Sequence, residues 1–203
     1  MATKVYQGDI PADLNFGSIV AMDCEMMGLN PVRDRLCLVQ LSSGDGNAHI
    51  VQFKADQYAA PNLKKLLIDP KVTKVFHFGR TDIAFLWMYL NVLCTPVYCT
   101  KTASRLARTY TEYHSLKTLC SEFLSIEISK QQIMSDWGRD TLTPEQIQYA
   151  ATDVLYLHRL KDILDAMLVR EGRMELAQSC FSFIPARALL DVAGWGEQDI
   201  FAH

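Results

Sequence analysis

The sequence predicts an α/β sandwich, a mixed β-sheet flanked by helices. Three observations lead there. The first quarter of the chain carries short apolar runs of strand length, two of them around a Gly-rich turn. Strand-length and helix-length segments then alternate, as in β-α-β units. From residue 100 onward the apolar residues recur with helical period. The 203 residues suit one domain, 1–203. A composition of 49% hydrophobic and 21% charged residues excludes the disordered and low-complexity classes.

Taken in order, residues 19–25 (Ile-Val-Ala-Met-Asp-Cys-Glu) run apolar and end acidic, as a buried strand reaching a polar rim. Residues 37–41 and 50–53 flank the turn Ser42-Ser43-Gly44-Asp45-Gly46-Asn47 and read as an antiparallel hairpin, so that the three strands form one meander. A helix over 63–68, a strand over 72–77, a helix over 83–90 and a strand over 97–100 follow. Helical periodicity then covers 103–108, 115–124 and a long segment, 143–170. Thr143-Pro144-Glu145-Gln146 opens that segment with a Thr cap, Pro at the first helical position and Gln three residues after the cap.

Twenty basic against 23 acidic residues give a net charge of −3. That argues against a protein coating long nucleic acid by bulk electrostatics, while leaving room for an enzyme that grips a short phosphodiester through metal ions and a few local contacts. Cys24, Cys37, Cys94, Cys99, Cys120 and Cys180 show no C-x-x-C pair or zinc-ligand spacing and read as reduced thiols. With no apolar signal segment and no membrane-spanning run, the expectation is a soluble cytoplasmic protein without membrane partners.

Asp23 and Glu25 lie two apart on one strand, so their side chains leave the same face. Side-by-side carboxylates repel unless a cation lies between them, and hard divalent ions prefer oxygen ligands. The pair also arises by chance, and taken alone a solvated strand end is the simpler account. Tyr149 and Asp153, four apart in a largely apolar helix, share one helix face. An acid there needs a metal or a partner such as a nearby Arg. Asp82 follows a strand-to-turn junction, where an ordinary helix N-terminal carboxylate is the simpler account. Together, four carboxylates from three separated elements suffice to hold two metal ions about 3.5–4 Å apart, the arrangement that clamps the attacking and leaving oxygens of a phosphodiester.

In this order the pattern resembles the tyrosine-bearing branch of the DEDD 3′–5′ exonucleases, which implies a ribonuclease H-like fold. Leu36-Cys37-Leu38-Val39-Gln40-Leu41, Val75-Phe76-His77-Phe78-Gly79-Arg80, Ser129-Lys130-Gln131 with Ser135-Asp136-Trp137, and the run from Tyr149 to Leu160 resemble the ribonuclease D family. Arg33-Asp34-Arg35-Leu36-Cys37, Cys99-Thr100-Lys101, the run from Leu155 to Asp162 and the terminal Asp199-Ile200-Phe201-Ala202-His203 are similar to its short stand-alone group, the nano-RNase C enzymes. Two positions depart from the family. Met26 stands where ribonuclease D relatives have Thr, and Met26-Met27-Gly28-Leu29 resembles oligoribonuclease instead. Thr81 replaces an aromatic residue before Asp82. Too little chain follows Leu160 for the helical accessory domains of larger members.

The resemblance implies a two-metal 3′–5′ exoribonuclease acting on very short RNA, down to dinucleotides, and releasing nucleoside 5′-monophosphates. Asp23, Glu25 and Asp153 are implied to hold one Mg²⁺ or Mn²⁺, Asp23 and Asp82 the second, and Tyr149 to orient the attacking water. Met26, Gly28, Leu29, His77 and Phe78 are implied to border the nucleotide, with Leu29 as an apolar wedge; a core leucine and a core histidine are the plainer readings of Leu29 and His77. Lys101, Arg105, Arg108, His114 and Lys117, interleaved with Tyr110 and Tyr113, suit phosphate contact and base stacking, or simply a solvated helix face. Lys130, Gln131 and Trp137 form a polar-aromatic insert beside the family's active-site edge. The apolar tail, 181–203, either closes the core or buries against another subunit, and the resemblance implies a ring-like homo-oligomer, an octamer in the family. The alternatives are a general exonuclease on longer single- or double-stranded RNA or DNA, and a nucleic-acid-binding module without catalysis.

Overall fold

A computed structural model describes residues 2–129 and 135–203. The strands are β1 (Thr3–Gln7), β2 (Ile19–Met26), β3 (Leu36–Ser42), β4 (Ala48–Gln52), β5 (Thr73–Phe76) and β6 (Val97–Cys99). The helices are α1 (Pro61–Ile68), α2 (Arg80–Leu90), α3 (Thr100–Ala107), α4 (Leu116–Leu124), α5 (Pro144–Leu155), α6 (Leu157–Arg170) and α7 (Met174–Val192). Among the described residues the strands form one sheet, ordered β1-β4-β3-β2-β5-β6. The meander β2-β3-β4 is antiparallel, while β1, β5 and β6 join it in parallel. This is the mixed, helix-flanked α/β sheet that the sequence predicts, the arrangement of the ribonuclease H-like 3′–5′ exonuclease fold.

The period-2 alternation of β2 decides where the acids go. Val20, Met22 and Cys24 enter one apolar core with Leu36, Val39, Leu41 and Val51, packed under α1 and α2. Ala21 enters the opposite core, with Val75 and the buried faces of α3, α4, α6 and α7. Asp23 and Glu25, in step with Ala21, therefore point to that opposite face. There α5 and the 137–142 segment pack Ala150, Trp137 and Leu142 over Cys37, Leu38 and Ile50. A register shift between Glu25 and Met26 ends the regular pairing with β3 just past the second acid.

Three elements depart from the sequence reading. β1 carries no apolar alternation, because it is an edge strand whose side chains are half-buried or exposed. The long helix breaks at Tyr156, which has φ −108° and ψ −6°. Val154, Leu155 and Leu157 are all buried, more than one stripe of a straight helix accommodates, and the break re-aims the second half. The apolar tail does not begin at 181, since α7 runs through to Val192, burying Ala177 and Phe181 in one core and Ala188 in the other. Cys24, Cys37, Cys94, Cys99 and Cys120 are buried free thiols and Cys180 a half-buried one.

Candidate active site

Each acid reaches the site by a different backbone device. Asp23 and Glu25 ride the central strand β2. Asp82 lies in the first turn of α2, behind a tight turn in which Phe78 takes the left-handed conformation, φ 69°. An aromatic residue there is strained, and such strain concentrates at functional sites. Asp153 and Tyr149 project from α5. That helix starts at a full capping box: Thr143 Oγ1 accepts the Gln146 N–H at 3.2 Å, and Gln146 Oε1 accepts the Thr143 N–H at 3.0 Å.

One ligand oxygen each from Asp23, Glu25 and Asp153 lie within 4.8 Å of one another. The fourth acid stands beside them, with Asp82 Oδ1 accepting the backbone N–H of Cys24 at 3.0 Å. Asp153 forms no salt bridge among the described residues, so the Arg partner that would make it structural is not there. Burial raises all four acids. Glu25 is pushed up to about 9, by burial and then by the charges of Asp153 and Asp82. Asp82 and Asp153 rise to about 7, through burial in both and, for Asp153, the neighbouring Asp82. Asp23 is raised well above the carboxylate range by burial and then by Asp82, Asp153 and Glu25. A set of all-oxygen donors that repel one another when charged fits hard divalent cations, and Asp23, Glu25 and Asp153 with Asp82 are the residues to hold them.

Tyr149 is half-buried, and burial followed by the charges of Asp153, Glu25 and Asp23 raises its phenol further above its ordinary value. It keeps its proton at neutral pH and acts as an O–H donor. Trp137 is buried with its ring against Tyr149, centroids 5.9 Å apart. Arg35 just before β3, Gln52 of β4 and Gln146 of α5 hold the loop that carries it, with Arg35 donating to Gly138 O at 2.7 Å, Gln52 to Arg139 O at 2.9 Å and Gln146 to Asp136 O at 3.0 Å. These staples were missed in the sequence; glutamines at inward-facing positions are the signal that could have found them.

Two cavities meet at Phe78. One of about 290 Å³ is bordered by Asp153, Tyr149, His77, Phe78, Lys101, Lys117 and Ser129. The other, of about 350 Å³, is bordered by Leu29, Asn30, Phe78, Arg80, Thr81 and Gly196. Leu29 is 81% exposed, which excludes the core reading, and Lys101 Nζ lies 4.2 Å from the Phe78 ring centroid. His77 borders the first cavity while its Nδ1 bonds Thr100 Oγ1 at 2.9 Å. Burial, and then Lys101, lowers it to about 3, so it is neutral and anchored.

Several expected contacts are not there. Arg108 is 1% exposed and turned inward, donating to Tyr113 O at 2.8 Å and to Glu122, so it braces α3 against α4 instead of meeting phosphate. Trp137 faces Tyr149 instead of a base. Arg105 is exposed and borders neither cavity. Met26, partly buried, packs onto the core under α2, and neither it nor Gly28, where a Cβ would run into the Asp34 carboxylate, borders these two cavities. Lys130 and Gln131 lie outside the described residues. Ser115 and Ile128, which the sequence did not single out, border the first cavity, as does Ser129 of the segment that resembles ribonuclease D.

Residues 9–169 match the 3′–5′ exonuclease family. The ribonuclease D of Acidiphilium cryptum is 33% identical over 156 residues, covering 77% of this chain and 39% of that protein, so the chain spans well under half the length of this relative. A structure of Brucella melitensis NrnC bound to pGG superposes with a TM-score of 0.97 at 52% identity, covering 100% of this chain and 99% of that one. A second, of Brucella melitensis NrnC with bound Mg²⁺, gives a TM-score of 0.96 at 51% identity over 100% of both chains.

Proposed function

The chain belongs to the 3′–5′ exonuclease family, on the ribonuclease D branch with NrnC, and from that premise we propose that it is a metal-dependent exoribonuclease of very short RNA. It removes residues from the 3′ end, down to dinucleotides, and releases nucleoside 5′-monophosphates. The observation that carries this is the convergence of Asp23, Glu25 and Asp153 within 4.8 Å, with Asp153 bordering the first cavity.

Two divalent ions, Mg²⁺ or Mn²⁺, supply Lewis-acid stabilisation of the attacking and leaving oxygens. The chain's part is to hold and orient. Asp23, Glu25 and Asp153 form one carboxylate nest; Asp23 and Asp82 form the other. Tyr149, protonated and aimed from the same helix face as Asp153, donates a hydrogen bond that orients the water. Leu29 and Phe78 present exposed apolar surface for bases. Lys101 and Lys117 are the cations that border the first cavity, where they meet phosphate as point charges.

The NrnC likeness supports the short substrate, since that protein is bound to pGG, by its notation a 5′-phosphorylated two-nucleotide ligand. The Mg²⁺ bound to NrnC supports the choice of ion. No helix among the described residues is long and apolar enough to cross a membrane. We place the enzyme in the cytoplasm as a homo-oligomer, with the exposed Phe183, Trp195, Ile200 and Phe201 as its seam.

The test is release of nucleoside 5′-monophosphates from a 5′-labelled RNA dinucleotide in Mg²⁺ or Mn²⁺, with a chelator control. Cleavage that persists in excess chelator, or no cleavage in either metal, overturns the proposal.

A further inference from the structure

One buried side chain beside the acids has no part in the roles above. Gln40, in the middle of β3, has no exposed surface, and neither its Oε1 nor its Nε2 has a hydrogen-bond partner among the described residues. Its immediate neighbours on the strand are the buried Val39 and Leu41. A buried amide without partners is costly where a leucine or methionine of similar size is not, and such exceptions call for an explanation.

The sheet register supplies one. Gln40 pairs directly with Asp23 across the antiparallel β2–β3 ladder. Residues so paired share a face, with Cβ atoms about 4.5–5.5 Å apart. Gln40 is thus the side chain next to Asp23 on the α5 side of the sheet, and it borders neither cavity. Asp23 also shares its one backbone donor with another acid. The Cys24 N–H that favours its charged form is bonded to Asp82 at 3.0 Å. Carboxylates that ligate metals are commonly held by outer hydrogen bonds. An amide suits that task beside a cation site: it donates without bringing a charge that would compete with the metal.

We propose that Gln40 is a positioning residue for Asp23: its amide nitrogen, unpartnered among the described residues, is the donor that the Asp23 carboxylate takes up on binding metal, which fixes the orientation of that carboxylate. This rests on the reading of the acids as metal ligands.

The experiment compares wild type with Gln40→Met, which keeps the volume and removes the donor. Mg²⁺ binding is measured by calorimetry, together with the thermal midpoint without metal and kcat against Mg²⁺ concentration. The expected result is an unchanged or raised midpoint, a Mg²⁺ affinity lower by about 10–100-fold and a kcat that recovers at saturating Mg²⁺. A Mg²⁺ isotherm identical to wild type overturns the proposal. If Gln40→Met does not fold, the side-chain amide signal of Gln40 in the wild type is followed by NMR during Mg²⁺ addition. The proposal requires it to shift and to gain protection from solvent exchange, and an unmoved signal overturns it. A wild type that binds no Mg²⁺ at all refutes the metal reading itself, an outcome distinct from a wild type and variant that bind it equally.

Discussion

Asp82 Oδ1 and the backbone N–H of Cys24 are joined at 3.0 Å, which ties the first turn of α2 to the strand that carries Asp23 and Glu25. The fourth acid is therefore set by the main chain of the strand bearing the first two, and the spacing of the cluster is fixed before any ion arrives. The cost is four crowded acids, Asp82 buried and the other three half-buried, whose surroundings stabilise the protonated over the charged forms.

Asp153→Asn and Asp82→Asn each remove one ligand charge while keeping an acceptor oxygen. Turnover falls by more than the roughly 10²-fold that loss of an outer hydrogen bond produces. The metal-free protein stays folded, with a midpoint equal to or above wild type, because one repelling charge is gone. Wild-type rates in Mg²⁺ from either variant would sink the two-ion assignment.

Tyr149→Phe deletes a hydrogen bond and no metal ligand. Because the ring packs on Trp137, phenylalanine keeps the packing and the fold. A positioned proton donor or acceptor is worth about 10²–10⁴-fold in rate. The loss appears in kcat, with Mg²⁺ affinity unchanged; full activity means that another group orients the water.

The layout of the site was largely readable in the sequence because strand and helix periods dictate it. Asp23 and Glu25 fall on one face by the two-residue repeat, and Tyr149 and Asp153 on another by the helical repeat. What could not be read depends on contacts between distant segments. Arg108 looks like any solvated helix arginine until Tyr113 O and Glu122 are seen to enclose it. Trp137 looks like a stacking platform until its ring is found against Tyr149. The bend at Tyr156 leaves no Pro or Gly signal, since it follows from which leucines the cores accept.

Arg108 leads to a separation of stability from binding. Arg108→Met removes hydrogen bonds of a charged donor, each worth about 1.5–3 kcal/mol, and lowers the thermal midpoint with KM unchanged. Lys101→Ala and Lys117→Ala do the reverse, raising KM with little change in midpoint. A raised KM in Arg108→Met at temperatures where it is folded restores that residue to the substrate path.

The pH dependence of the metal-free protein has a definite sign. Glu25 rises from 4.5 to about 9, and Asp82 and Asp153 from 3.8 to about 7. Raised folded-state values mean that the folded protein binds more protons than the unfolded chain between the two sets of values. The contribution of these acids to stability is thus greatest below about pH 4 and is lost as pH climbs toward 9. Relative to Asp153→Asn, the wild-type midpoint without metal falls more steeply from about pH 4 to pH 7, and Mg²⁺ removes the excess slope. Parallel slopes for wild type and variant would contradict the repulsion described.

Length selectivity needs a wall, since the carboxylates see only the scissile phosphate. The cavity beside Leu29 and Phe78 ends at Gly196 and Glu197. That segment is strapped down: Arg80 Nη2 donates to Asp191 Oδ1 at 2.6 Å and to Gly196 O at 3.0 Å, and Arg187 donates to Gly196 O at 2.8 Å. The first cavity is bordered by Lys101 and Lys117. A terminal 5′ phosphate carries more charge than an internal diester and gains more from two lysines. With a net charge of −3, the chain offers no broad basic track to reward added nucleotides. In a series of 5′-phosphorylated RNAs from dinucleotide upward, kcat/KM is therefore highest for the dinucleotide. Removing the 5′ phosphate, or substituting Lys101 and Lys117 together by Ala, narrows its lead over longer RNAs. If kcat/KM instead climbs steadily with length, the two ends do not confine the substrate and a general exonuclease acting on longer strands is the better description.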